Sequence, residues 1–219
     1  MDGDVLSRNL GDVVSDLDAR RNNGELTESE RAAHLQEYLD RVLEGASVEA
    51  VPTRWAWQYG DAFRLRGDWD AAGELYQRSL ESADTEDRRV NDSLRLARVR
   101  AHQGKHEEAL RLVRATFDAP DEDKGPILMA VAYEIVPEGR ASGPKLEYAR
   151  LLAEAVGQHQ ATVVAAATPS GRAFLEARPA HVRRAYMIAA ELAMAAGDRA
   201  AARAYVESAE QAAAKTAKL

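Results

Sequence analysis

At 219 residues, with a net charge of −7 and no cysteine, the chain excludes several kinds of chemistry at the outset. Without a thiol there is no disulfide, no thiolate nucleophile and no thiolate metal site. The acidic balance argues against a nucleic-acid scaffold. No apolar run reaches the roughly 18 residues of a membrane-spanning helix, and the opening MDGDVLSRNL has no apolar signal core. A cytoplasmic protein is the default expectation, an exported chain shorn of its signal peptide the alternative.

Asp2–Arg21 repeats Val5, Leu6, Leu10, Val13, Val14 and Leu17 at helical spacing and ends at Asn22-Asn23-Gly24. Thr27 followed by Glu30 predicts a capping box for the next helix. That helix carries Leu35, Tyr38, Leu39, Val42 and Leu43 and stops at Gly45. Thr53–Ala83 holds all three tryptophans and predicts two helices. Ala56, Tyr59, Gly60 and Phe63 share one face of the first. Gly60 leaves room there for a close helix contact. Gly67 ends that helix, because glycine takes positive φ at little cost. Asp68 or Asp70 caps the second, whose inner face is Ala72, Leu75, Tyr76 and Leu80. The pattern returns after about 37 residues, with Gly104, His106, Ala109 and Val113 in the places of Gly67, Trp69, Ala72 and Tyr76.

Further on, Gly125–Val136 reads as an apolar helix ended by Pro137-Glu138-Gly139, followed by a helix over Lys145–Val156. The stretch 158–179 breaks the pattern. Ala180–Leu219 restores it through Tyr186, Ala189, Ala190, Gly197, Asp198, Ala202 and Tyr205.

Tyr59-Gly60, Phe63, Gly67, Trp69, Ala72 and Tyr76 resemble the tetratricopeptide repeat, with Ala56 in the place of its first tryptophan and Asp84 near that of its closing proline. The resemblance implies an all-α solenoid of antiparallel helical hairpins in one curved domain. Residues 1–51 would be a capping hairpin and 52–219 the repeats. These are clearest at 53–86, 88–120 and 180–217, degenerate at 125–157 and irregular at 158–179. It further implies a non-enzymatic adaptor that binds a protein or peptide segment, an acidic one among the candidates, in a concave groove. By register that groove is lined by Arg54, Trp57, Asp61, Arg64, Asn91, Leu94, Arg98 and His102. The family's carboxylate clamp of lysine and asparagine is replaced by Trp57 and Asp61. Trp57 is expected to face the groove, and Trp69 to be buried between the two helices. An oligomeric assembly subunit is the first alternative. An enzyme with its site near 158–179 is the second.

Other constellations fail on spacing. His102 and His106 are four apart, but Gly104 between them ends the helix, so no metal pair is expected. Asp118, Asp121, Glu122, Asp123 and Gly125 lack the spacing and closing glutamate of a calcium loop. Ser170-Gly171 is no nucleophile elbow, and Gly139 to Gly143 are no phosphate loop. Neither a cofactor nor a catalytic set is expected. Arg88, Arg89, Arg95, Arg98, Arg100, Arg111 and Arg114 form a basic segment without interleaved aromatics. It reads foremost as a solvated face paired with acids such as Glu107 and Glu108, and next as a carboxylate-binding patch.

Overall fold

The computed structural model describes residues 2–119, 123–161 and 169–216, without the side chains of 169–171, 174 and 214–216. The described residues are helical and include no strand. They form two compact units, Met1–Asp92 and Ser93–Leu219. The division falls inside helix α5 (Glu86–His102).

In the first unit α1 (Gly3–Asn22) and α2 (Glu28–Val42) pair as a hairpin. Asp2 caps α1 by accepting from the Asp4 N–H at 2.9 Å. The capping box of α2 is formed: the Glu30 N–H donates to Thr27 Oγ1 at 3.2 Å, and the Thr27 N–H to Glu30 Oε2 at 2.8 Å. Leu6, Leu10 and Leu17 of α1 and Leu35, Leu39 and Leu43 in and after α2 are buried, whereas Val5 is exposed. The buried seam is therefore narrower than the apolar stripe in the sequence.

A short 3₁₀ turn, Thr53–Trp55, leads into α3 (Ala56–Arg66), which packs on α1, α2 and α4 (Trp69–Glu81). Helices α1 and α2 are thus covered by α3. Gly67 turns the chain at φ +91°, and Asp68 caps α4 through the Ala71 N–H at 3.1 Å. Ala56, Phe63, Ala72, Leu75 and Tyr76 are buried, as the periodicity implies. Each fully buried large side chain contributes about 1.5–3 kcal/mol. A Cβ on Gly60 would lie 2.7 Å from the Tyr76 ring, so the close contact expected there exists. Arg78 ties down the α2–α3 connection by donating to Val48 O at 3.1 Å and Val51 O at 2.9 Å. The buried Ser79 hydroxyl donates to Asp92 at 2.7 Å.

In the second unit α9 (Lys145–Ala161) is the central helix. It touches α6 (His106–Arg114), α7 (Lys124–Ala130), the π turn Val131–Ile135, α8 (Val136–Gly139) and α10 (Pro169–Ala195). Its Tyr148, Leu151, Leu152, Ala155 and Val156 are enclosed. Helix α11 (Arg199–Thr216) pairs with α10 across a turn at Gly197, φ +82°, with Asp198 capping through Ala201 N–H at 2.9 Å.

Pro137 does not end its helix as expected. The chain widens instead into the π turn, where the Val136 N–H bonds to Val131 O, and helix resumes to Gly139. Proline has no N–H and its ring crowds the carbonyl four residues earlier, so the extra residue in the turn relieves both problems. Pro179 likewise lies inside α10. The stretch read as irregular is helical in its described parts: α9 continues to Ala161 and α10 begins at Pro169, while 162–168 lie outside the described residues.

Candidate functional site

The site best formed in the first unit is a cleft of about 670 Å³ between α1 and α3. The α1 wall is Ser7, Gly11, Ser15 and Ala19, spaced four apart and so stacked along one face, together with Leu10, Val14, Asp18 and Asn22. Leu10 belongs to the inward-packing stripe of Leu6, Leu10 and Leu17 and also borders the cleft. A Cβ on Gly11 would meet nothing within 4 Å. A glycine within a helix costs about 0.5–1 kcal/mol relative to alanine, and no packing within the chain calls for it here.

The α3 wall is Gln58, Asp61, Arg64 and Leu65. Its polar groups are held by α4. Tyr76 is buried, and its hydroxyl donates to Asp61 Oδ1 at 2.5 Å and accepts from Arg64 Nε at 3.4 Å. Burial first, then the Asp61 charge, pushes the Tyr76 phenol far above its ordinary pKa. It therefore remains a proton donor across the whole physiological range. Arg64 also lies 3.7 Å from Asp61, so the guanidinium and carboxylate are positioned by one buried phenol. Gln58 is fixed by donating to Asp4 at 3.0 Å. At the far end Asp18 accepts from Arg31 of α2 at 2.6 Å, and that hydrogen bond holds its carboxyl below the usual range. The cleft thus offers backbone-proximal small residues on one side and an oriented acid–arginine pair on the other. Those groups suit recognition of a polar segment by hydrogen bonds and charge.

Of the residues expected to line a groove, Asp61 and Arg64 line this cleft. Arg54 is exposed on the 3₁₀ turn, with its guanidinium stacked 4.5 Å over Trp55. Trp57 is half-buried and outside the cleft lining. Trp69, expected to be buried, is also half-buried, so exposure does not separate the two tryptophans. Asn91 donates to Asp87 O at 2.9 Å and to its Oδ1 at 3.1 Å, one helical turn back. Leu94 is buried. Arg98 bonds Glu134 at 3.0 Å and Glu138 at 3.4 Å, and His102 Nδ1 meets Glu138 at 2.9 Å. The last pair is thus gathered on acids of the second unit.

Much of the basic segment is paired with acids: Arg88 with Asp84, Arg89 with Glu86, Arg100 with Glu108 and Arg114 with Glu154. This is the paired face that the sequence suggested. His106 donates to or accepts from the Tyr148 hydroxyl at 3.0 Å rather than facing a metal. Among the described residues, no group of three or more histidine, aspartate and glutamate side chains is placed to hold a metal, and no helix is long and apolar enough to cross a membrane. Asp121 and Glu122 of the half calcium loop lie outside the described residues, as does Ser170's side chain.

Sequence reasoning missed the small-residue part of the α1 wall. Its signal was present as Ser7, Gly11, Ser15 and Ala19 at a period of four, on the face away from the leucines. No protein-family model, curated protein or solved structure matches the chain.

Proposed function

We propose that this protein is a non-enzymatic, tetratricopeptide-like adaptor that holds a segment of another protein in the cleft between α1 and α3. The observation that carries this reading is the pairing of an unfilled small-residue wall with an Asp61–Arg64 pair pre-set by Tyr76. Gly11 and its neighbours admit the backbone of a bound segment closely. Arg64 receives a carboxylate or carbonyl from it, and Asp61 an amide or cation. Pre-orientation lowers the entropy lost when these side chains engage a partner. The tetratricopeptide-like motif residues around Gly60, Gly67, Ala72 and Tyr76 support a solenoid in which α1 and α3 are successive inner helices.

The test is partner capture from an extract of the source cells on three immobilised proteins: wild type, Gly11→Phe and Arg64→Gln. Gly11→Phe fills the cleft from a position with no neighbour to displace. A common partner should be retained by wild type and lost by both variants. Its retention should also fall in salt near 1 M, where exposed charges are screened within about 3 Å. Equal retention of every captured protein by all three baits, with all three folded by circular dichroism, would falsify the assignment of this cleft.

A further inference from the structure

A second surface lies wholly in the other unit. Between α10 and α11 runs an open groove of about 820 Å³, with Ala190 and Ala202 at its floor and Met187, Met194 and Val206 on its walls. Met194 is 56 % exposed, the most exposed large hydrophobic side chain among the described residues. At about 100° per residue, Met187, Glu191 and Met194 fall on the side of α10 opposite buried Val182, Ala185 and Ala189. The apolar face is therefore additional to the one that packs into the unit's own core.

The first unit shows what such a groove accepts. There the α1/α2 hairpin is covered by α3, which contacts both of its helices. A hairpin of two helices presents a furrow whose natural occupant is a third helix, set by ridges into grooves. The α10/α11 furrow has no helix over it among the described residues. Its walls carry methionines, which adapt their shape to a bound apolar surface.

The rim chooses the partner's charge. Arg199 and Arg203 stand one helical turn apart on the α11 side, both exposed, and neither has a carboxylate partner among the described residues. That separates them from Arg88, Arg89, Arg98, Arg100 and Arg114, each of which is paired within the chain. Two acids one turn apart on a docked helix would match this pair. Glu191 on the opposite rim would meet a basic or neutral flank.

We infer that the groove between α10 and α11 is a docking surface for an amphipathic helix of another protein, with leucine-like residues toward Met194 and acids one turn apart toward Arg199 and Arg203. This surface is independent of the α1/α3 cleft, and each can fail without the other.

The probe is a fluorescein-labelled synthetic peptide of about four helical turns, with leucines at i, i+3 and i+7 and glutamates at i+4 and i+8 along one flank. Its counterpart carries lysines in place of the glutamates. Binding to the full chain is read by fluorescence anisotropy. The glutamate peptide binds saturably, and both the lysine peptide on wild type and the glutamate peptide on the Arg199→Glu/Arg203→Glu variant bind at least about tenfold more weakly, the loss expected when paired charges become like charges. The lysine peptide recovers affinity on that double variant, which also shows that the variant is folded. Absence of saturable binding by the glutamate peptide overturns the proposal. So does equal affinity for the two peptides. Concentration-dependent self-association by sedimentation velocity, abolished by Met194→Glu, also overturns it by assigning the groove to a second copy of the chain.

Discussion

Each unit is built around a buried tyrosine pressed against glycine, and the two nests differ in what the hydroxyl does. In the first unit Tyr76 lies over Gly60 and its hydroxyl reaches Asp61 and Arg64 on the cleft wall. In the second unit Tyr148 lies against Gly139 and Gly143, and its hydroxyl meets His106, whose ring packs edge-on at 5.8 Å between centroids. Burial pushes the Tyr148 phenol up to about 12. Both phenols stay protonated, and they differ in what they hold: Tyr76 an acid–arginine pair, Tyr148 a half-buried histidine. The same packing device therefore orients a pair of opposite charges in one unit and a single imidazole in the other.

The largest effect expected is from removing either ring. Tyr76→Ala and Tyr148→Ala should each cost about 3–5 kcal/mol, as for other buried aromatics. All three tryptophans lie in the first unit, so their fluorescence reports it while circular dichroism reports both. In urea, Tyr76→Ala should move the tryptophan transition at least as far as the helical one. A Tyr148→Ala protein whose tryptophan transition shifts more than its helical signal would undo the comparison.

Filling the glycine side of the nest comes next. Gly60→Leu should overpack against Tyr76 and cost about 1–3 kcal/mol. Gly143→Ala places a Cβ 2.8 Å from the Tyr148 ring and should destabilise the second unit in the same sense. Wild-type melting of both variants would mean that neither nest is as tight as described.

Acid should separate the units further. His159 in α9 is buried, and burial, aided by Arg178 and His181, lowers its pKa to about 4. The unfolded chain takes up its proton near pH 6.5 and the folded chain does not. Stability is therefore lost as pH falls from about 6.5 toward 4, by about 2 kcal/mol between pH 7 and pH 5. The carboxyls of the first unit with lowered pKa values, Asp18, Glu30 and Glu49, lose their contribution only as pH falls below the ordinary carboxylate range. Urea titrations at pH 7 and pH 5 should show the helical transition moving ahead of the tryptophan one, and His159→Leu should suppress the difference. Coincident transitions at both pH values would count against it.

The smallest effect is the most diagnostic. Tyr76→Phe and Tyr148→Phe each delete a hydroxyl and should each cost about 0.5–1.5 kcal/mol. Only Tyr76→Phe should also weaken capture of the cleft's partner, because Asp61 and Arg64 lose their common anchor. Equal capture by the two phenylalanine variants would break the link between the nest and the site.

Much of the first unit was legible because its rules are local. The Thr27–Glu30 box, the Gly67 turn, the Asp68 cap and the Gly60 contact each follow from residues within a few positions of one another. Register placed Asp61 and Arg64 on one groove-facing side of α3, and both are half-buried in the lining of the α1/α3 cleft. The small-residue part of the α1 wall was not found, because a reading guided by large apolar residues follows Leu6, Leu10 and Leu17 and passes over the small ones between them. Gly139 and Gly143 were read as turn glycines, although their role is set by a tyrosine brought in from α9.

The sequence by itself determined where helices start and stop wherever a cap, a positive-φ glycine or a steady apolar period governs, and it determined that the described chain would be all-helical. Tertiary structure decided the rest. It let α7 continue through Pro137 by widening a turn, matched Arg98 to acids 36 and 40 residues away, and made α1 a wall of the cleft. The physical reason is range. Capping and helical periodicity act over one or two turns, whereas close packing and ion pairing depend on which surfaces folding brings together.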